Sequence, residues 1–464
     1  MSKKTDGQYM TPQPLIDIIL DEIGFDGVGT IMEPSFGDGN FLVSIVKRMI
    51  DKGITDFSNV YGIEKDKQLY DIAIKRLNEL VGYEYDWKNL RCADTLSVYT
   101  DYIGKFDYVV GNPPFVRIHN MNEEYRELRH LFDFTSGMTD LYIIFYDMGL
   151  SMLNEKGMLG YVSANSFLKN TSQIEFRNYL IRNTLVKSLH DFNVSKIFDA
   201  SVYVCICILD KQDKDSLTYY SYDMYNQKYS SIVPYFYMEE MMDKPWILGS
   251  ADDIVFYDNN QRMPYKIKDI AVVQNGVSTN KNNVYILHVD RIIDGYAHCG
   301  GQIIEANILK RCCKCSAYNG NDLGYMIFPY VEDGIGYRPM TEAELMQYPC
   351  AYQYLLSHKE ELMDRDMENS LDWFLFARSQ GLKTMHQKKI VLKTVFSHGT
   401  KIVPYILDED IIVYSGLYIT GDLDKIYTLL CDDDFSRYAS FVGNDKTGGY
   451  KSITTKMIQN YGFQ

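Results

Sequence analysis

Nine cysteines among 464 residues are too few to staple a chain of this length, which excludes a disulfide scaffold. The amino terminus, MSKKTDGQYM, lacks the apolar stretch of a secretion signal. Long hydrophobic runs are also missing. Stretches such as Val202 to Leu209 are far shorter than the roughly 20 residues a membrane helix needs and read as buried strands. A reducing cytoplasmic setting without a membrane anchor is therefore expected. Positive charge is scarce as well: the formal net charge is −15, which excludes a protein that coats nucleic acid indiscriminately but allows a local basic groove on an acidic body. No fixed-period repeat and no low-complexity tract occurs.

Hydrophobic residues make up 46% of the chain, enough for large cores, and the length favours two domains over one. From about residue 8 to 210, short apolar runs alternate with amphipathic ones, the rhythm of a βα-repeating sheet. Strands are expected at Gly29–Glu33, Val60–Glu64, Asp107–Val110, Met158–Val162 and Val202–Leu209, and helices at Leu15–Glu22, Phe41–Lys52, Lys67–Leu80, Asp140–Leu153 and Gln173–Asn183. A linker is expected between about 210 and 250, where charged and tyrosine-rich segments break the rhythm. Beyond it, short strands at Lys266–Val273, Val284–Val289, Lys389–Val395 and Ile411–Ile419 suggest a separate α+β domain. The expected domains are thus 1–235 and 250–464.

The chemistry gathers at strand ends. In Ile31-Met-Glu-Pro-Ser-Phe-Gly-Asp-Gly-Asn-Phe-Leu42 a strand enters a loop in which Gly37 and Gly39 permit close backbone approach to a ligand, at the carboxyl end where open α/β sheets bind cofactors. The glycine pair alone also fits an ordinary tight βα turn. A phosphate-binding Walker loop is excluded because no Gly-Lys-Ser/Thr follows. Glu64 ends the next strand, where an acid accepts both ribose hydroxyls of an adenosine-containing cofactor, and Asp94 follows a third strand, placed to receive an adenine amine. The fourth strand runs through Phe106-Asp-Tyr-Val-Val-Gly-Asn-Pro-Pro-Phe115. Two adjacent prolines stop both helix and sheet. Asn112 offers a side-chain carbonyl, Pro113 a main-chain carbonyl and Phe115 a flat ring. Two acceptors beside a ring suit a planar amine, held by its N–H hydrogens while the heterocycle stacks. Such a site works by positioning and electrostatics rather than by a titrating base.

Asn112-Pro-Pro-Phe115, with Gly7-Gln-Tyr-Met-Thr-Pro12, Glu33-Pro-Ser-Phe-Gly-Asp-Gly39 and Gly62-Ile-Glu64, resembles the motif set of S-adenosylmethionine-dependent DNA adenine-N6 methyltransferases. The motif order resembles the gamma class found in restriction–modification systems. The resemblance spans about residues 7 to 210. It implies a Rossmann-like methyltransferase domain with a mixed, mostly parallel seven-stranded sheet, followed by an α+β target-recognition domain. It further implies S-adenosylmethionine as cofactor and double-stranded DNA as partner. Tyr9, Thr11, Glu33, Ser35, Phe36, Gly37 and Gly39 would surround the methionine end of the cofactor, with Glu64 at its ribose and Asp94 at its adenine. Asn112 and Pro113 would grip the target N6, Pro114 would lie near the cofactor, and Phe115 and Phe198 would stack on a flipped base. Asp140-Leu-Tyr142 and Gly157 to Asn165 resemble the family's next elements. Phe36, Asp38 and Asn40 stand where relatives often carry other, mostly smaller residues.

In the second half, Ala271–Thr279 and Asp372–Leu382 loosely resemble target-recognition segments. Basic residues cluster at Lys383, Lys388, Lys389, Lys393 and Lys401, and at Lys310, Arg311 and Lys314, as phosphate contacts or as plain solvated lysines. The adjacent cysteines of Cys312-Cys-Lys-Cys315 poorly match zinc-ligand spacing, so no metal is expected. Two other readings stand beside the DNA one: methylation of RNA or of a protein glutamine by the same motif, and a DNA-binding specificity protein with an inactive catalytic half. A nuclease fused ahead of Tyr9 is not expected, nor is the helical domain of modification subunits that need a separate specificity chain; a cognate endonuclease would act separately.

Overall fold

A computed structural model describes residues 10–116, 140–193, 195–198, 202–334, 336–366, 372–446 and 448–464. The chain divides into two compact units, Met1–Ile254 and Val255–Gln464. The division falls inside a helix, Ala251–Arg262, close to the expected linker's end.

The first unit alternates helix and strand: α1 (Gln13–Glu22), β1 (Ile31–Glu33), α2 (Asn40–Asp51), β2 (Val60–Glu64), α3 (Lys67–Val81), β3 (Leu90–Cys92), α4 (Thr95–Val98), β4 (Phe106–Gly111), α5 (Leu141–Met152), β5 (Leu153–Ala164), α6 (Ile174–Arg182), β6 (Val186–Asp191), β7 (Val204–Asp210), β8 (Ser216–Asp223) and β9 (Asn226–Pro234). Local signals set the helix ends. The carboxylate of Asp66 accepts the backbone N–H groups of Gln68 and Leu69 to start α3, which stops at Gly82 in the left-handed region. α1 buries Leu15, Ile16, Ile19 and Leu20 on one face, and α2 buries Phe41, Leu42, Ile45, Val46 and Met49. α5 is buried nearly all round, so its sequence shows no polar face.

The nine strands lie in the order β3-β2-β1-β4-β5-β7-β6-β8-β9. β3, β2, β1, β4 and β5 run parallel; β7 lies antiparallel between β5 and β6, β8 pairs parallel with β6, and β9 is antiparallel at the edge. The mixed, mostly parallel sheet of the Rossmann-like expectation is thus present, with two strands beyond the seven. These extra strands replace the expected linker. Within Ser216–Asp223, Leu217, Tyr219, Ser221 and Tyr222 turn inward, so what reads as a polar, tyrosine-rich connection is a half-buried strand whose tyrosines supply the apolar face.

The second unit contains two four-stranded sheets. One joins Ala271–Asn275, Leu417–Gly421, Lys389–Leu392 and Pro404–Leu407; the other joins Ile286–Leu287, Gly324–Ile327, Leu309–Lys314 and Ile412–Tyr414. Its core includes Tyr285, Cys312, Cys313, Phe374, Phe376 and Val413. The α+β character is as expected, but all four strand assignments change. Lys389–Val395 divides into Lys389–Leu392 and a separate strand Val395–Ser397, and Ile411–Ile419 divides at Ser415 into Ile412–Tyr414 and Leu417–Gly421, which join different sheets. Lys266–Val273 is interrupted by a helical turn at Ile267–Ile270, where the Asp269 carboxylate accepts the Lys266 N–H. Val284–Val289 begins inside the helical turn Asn282–Tyr285.

Candidate active site

Parallel pairing brings the carboxyl ends of β3, β2, β1 and β4 into one row. Glu33 is paired with Gly62, and Glu64 with Cys92. The predicted cofactor residues on these strands and on the loop after β1 therefore share one edge of the sheet, although they are spread over 62 positions of sequence from Glu33 to Asp94.

The loop after β1 is held from several sides. The Phe36 N–H donates to the Ile63 carbonyl at 3.2 Å, and the Gly37 N–H to Glu64 Oε2 at 2.8 Å. Glu64 Oε1 accepts the Asp66 N–H at 2.8 Å, so its carboxylate is fixed between the loop and the start of α3. Thr95 donates its hydroxyl to the Pro34 carbonyl. Arg76 on α3 forms an ion pair with Asp38 at 2.9 Å and donates to the Asp38 carbonyl and the Asn40 side chain at 2.7 and 2.8 Å. Asn40 donates to the Thr11 carbonyl at 3.4 Å, tying the Thr-Pro segment to the loop. Asp38 and Asn40 thus have a structural use as anchors of the loop. Arg76 had no signal in the sequence, because it lies on a helix face remote from any motif.

Gly39 has φ +88°, and a Cβ there would sit 2.9 Å from the Ala73 Cβ, so turn and helix packing both demand glycine. Gly37 has φ +56° with open space around it. Phe36 is buried, its ring against Gly62 and 5.9 Å from the Tyr70 ring. Thr11 is buried at the approach to α1, while Tyr9 lies outside the described residues. Asp94 caps α4, accepting the Leu96 N–H at 3.1 Å.

Glu33 is the electrostatic centre. It is 3% exposed, and burial together with the nearby Glu64 and Asp38 carboxylates holds its carboxyl well above the usual range, opposed by the Leu42 backbone N–H. Its Oε2 and the Ser35 hydroxyl are buried without a hydrogen-bond partner among the described residues. Buried polar atoms are rarely left so, and two in one glycine-bearing loop fit a ligand carrying positive charge and hydrogen-bond donors. A sulfonium compound with an amino group has that chemistry, so these residues suit S-adenosylmethionine.

Beside them, β4 ends in Gly111, and the chain leaves through trans prolines 113 and 114. Pro113 is buried; Asn112, Pro114 and Phe115 are half-buried. The Leu141 N–H donates to the Val116 carbonyl at 2.8 Å, fixing the exit of this segment to the start of α5. The Phe115 ring meets Tyr142 edge-on at 6.1 Å and Phe198 at 6.5 Å between centroids, with 65° between the latter planes. Phe198 is thus brought to the Asn-Pro-Pro-Phe segment from 83 residues away. Its loop is braced at its start: Asp191 accepts the Asn193 N–H at 2.8 Å, Asn193 donates to Ser221 at 2.9 Å, and the Met224 N–H donates to the Ser195 hydroxyl at 2.8 Å. The two additional strands therefore support the segment that carries Phe198, a role with no sequence signal.

Several basic residues of the second unit are not available for phosphate. Lys389 is fully buried and donates to the Asp408, Glu409 and Ile411 carbonyls. Arg311 forms a two-pronged pair with Asp410, and Lys401 pairs with Asp433 at 2.7 Å. Lys383, Lys388 and Lys393 are exposed. Cys312, Cys313 and Cys315 are buried on and beside a core strand, with the Cys312 thiol pushed up to about 12 by burial. No cluster of metal-binding side chains and no helix long and apolar enough to cross a membrane occurs among the described residues.

The sheet and the row of strand-end groups define a Rossmann-like methyltransferase domain. Within it, residues 82–198 match the Eco57I restriction-modification methylase family, a span that holds Asp94, the Asn-Pro-Pro-Phe segment and Phe198. The resemblance to restriction–modification methyltransferases read from the motifs therefore holds. Among curated relatives, the chain is 25% identical over 452 residues to the type II methyltransferase M.BstVI of Geobacillus stearothermophilus, covering 84% of this chain and 78% of that protein. It is 23% identical over 330 residues to the Escherichia coli type II restriction enzyme and methyltransferase RM.Eco57I, covering 64% of this chain but only 33% of that enzyme. Among solved structures, the type IIL restriction-modification enzyme MmeI, determined in complex with DNA, superposes with a TM-score of 0.61 at 14% identity, over 96% of this chain and 63% of that one. That likeness shows the fold.

Proposed function

We propose that this protein is a site-specific DNA methyltransferase that transfers the methyl group of S-adenosylmethionine to the N6 of an adenine turned out of duplex DNA, as the modification enzyme of a restriction–modification system or as a stand-alone methylase in the cytoplasm. The observation that carries this reading is the Asn-Pro-Pro-Phe segment at the tip of β4, beside the Glu33 strand end, one strand further from Glu64, and near Phe198.

When bound, the cofactor supplies an electrophilic methyl group. The chain does the rest by placement. Glu33 and Ser35 offer buried acceptors to its charged end, Glu64 is pre-oriented for a ribose, and Asp94 stands at the adenine end. The Asn112 side-chain carbonyl and the Pro113 carbonyl accept the two N–H hydrogens of the target amine, drawing it toward tetrahedral geometry and directing its lone pair at the methyl carbon. Rigid trans prolines keep both acceptors in register at little further entropic cost. Phe115 and Phe198 hold the heterocycle by stacking, after a rotation of one ring from its present edge-on contact.

Incubation with tritiated cofactor separates the substrates. Label is expected in duplex DNA of mixed sequence, against ribosomal RNA and a peptide-release factor as competitors. Label confined to RNA or to a glutamine of the protein would replace this reading with one of the other two amine substrates.

A further inference from the structure

The second unit carries a cleft of about 730 Å³ whose wall includes Asn275, Ser278, Asn282, Thr394, Ser415 and Thr455. Two features set it apart. Among the described residues no carboxylate lines it, in a chain with 62 acidic against 47 basic residues, and its polar groups are mostly amides and hydroxyls. Pockets for small molecules are mainly apolar, and here the apolar share is Val277, Leu417 and Ile453. The lining cation, Lys281, is held by Glu361 at 3.3 Å, so uncharged groups carry the recognition.

The floor is built tightly. The Gly276 N–H donates to the Gly416 carbonyl at 2.9 Å; a Cβ on Gly276 would strike the Val413 carbonyl oxygen, and one on Gly416 the Cys315 side chain. On this floor, the neighbouring amides are already engaged: Asn280 donates to the Asp366 carbonyl, Asn282 accepts the Thr279 hydroxyl, and Asn283 donates to Glu361. Asn275 differs. It is exposed at the end of its strand, and its carboxamide makes no hydrogen bond among the described residues. Ser415, also in the cleft wall, is exposed, accepts the Asn282 amide at 3.5 Å, and sits at φ +50°, in the left-handed region that serine rarely adopts.

An unengaged carboxamide presents a donor and an acceptor side by side, the pattern that pairs with the N6 and N7 of an adenine, and a hydroxyl adapts to either kind of base edge. We infer that this cleft reads base edges of duplex DNA, with Asn275 and Ser415 as specificity-determining contacts. The inference rests on the reading of duplex DNA as the substrate.

The test uses the full chain on duplexes of randomised sequence, with modified positions mapped by sequencing, for the wild type, Asn275→Ala and Ser415→Gly. The glycine variant relieves a strained backbone and is expected to fold at least as well as the wild type. Both variants are expected to relax the preference at one or two positions and to lower kcat/KM on the wild-type site by about 5- to 150-fold. Cofactor affinity, measured directly, stays unchanged. Unaltered sequence preference and kcat/KM in both variants overturns the cleft assignment while leaving duplex DNA as substrate. A uniform loss on every sequence also overturns it, since a contact that only positions phosphates carries no sequence information. A wild type that methylates no duplex at all removes the substrate reading, and the cleft assignment with it.

Discussion

Replacing Glu33 with Gln separates a cofactor ligand from a structural acid. In the free protein the carboxyl is almost fully buried, one oxygen has no partner among the described residues, and Glu64 and Asp38 repel its charge. Its folded pKa is raised, so the native state holds a proton that the unfolded chain releases between the ordinary carboxylate range and the raised value. Wild-type stability should therefore fall as pH rises through that window. Glu33→Gln has nothing to ionise and should lack that fall, with stability at low pH within about 1 kcal/mol of the wild type, since an isosteric amide merely replaces a protonated acid. Cofactor binding should move the other way. A charge-assisted contact is worth about 1.5–3 kcal/mol, so the variant should bind S-adenosylmethionine roughly 10- to 150-fold more weakly, and wild-type affinity should increase with pH as the carboxylate forms. Calorimetric titration at several pH values, with denaturant unfolding of the free protein alongside, reads both. Unchanged affinity in the variant, or parallel pH dependence of the two proteins' stability, would refute the role of Glu33.

Gly39→Ala should destabilise the free protein by about 2–5 kcal/mol, from a left-handed backbone plus overlap with Ala73, whereas Gly37→Ala, with open space around it, should cost only about 1–2 kcal/mol in denaturant melts. Phe198→Ala should lower kcat/KM on duplex DNA by about 5- to 150-fold, the value of one base-stacking contact, while leaving cofactor affinity intact; fluorescence of 2-aminopurine at the target position reports the lost stacking. Lys389→Ala should reduce stability without altering the salt dependence of DNA binding, because its ammonium is spent on three backbone carbonyls; Lys393→Ala, at an exposed position, is the partner measurement.

The parts of the fold that read correctly are those in which local chemistry and burial agree. Val60–Glu64 is flanked by a capping Asp66 and a helix stopped by Gly82, so strand and helix ends are both written in sequence. β6 went unassigned because Val186-Lys-Ser-Leu-His-Asp191 buries polar side chains: Ser188 donates to Glu22, and His190 bonds Tyr222 and stacks on Tyr220. Polar groups satisfied by distant partners look like loop from sequence. The same holds for the tyrosine-rich strands after residue 215. The candidate site was legible where its groups are contiguous, as in Glu33 to Gly39 and Asn112 to Phe115. It was opaque where positioning is done at a distance, by Arg76 on a helix face or by Asn193 and Ser221 beneath the Phe198 segment. Phe198 itself rested on resemblance; its ring lies beside that of Phe115.

The most direct measurement is the identity of the methylated nucleoside. Duplex DNA treated with the protein and S-adenosylmethionine, digested to nucleosides and resolved by mass spectrometry, should contain N6-methyladenosine in its deoxy form, and Asn112→Ala should abolish it while retaining cofactor binding. Methylcytosine as the product, or N6-methylation undiminished in the Asn112 variant, would contradict the assignment of the Asn-Pro-Pro-Phe segment as the grip on an adenine amine.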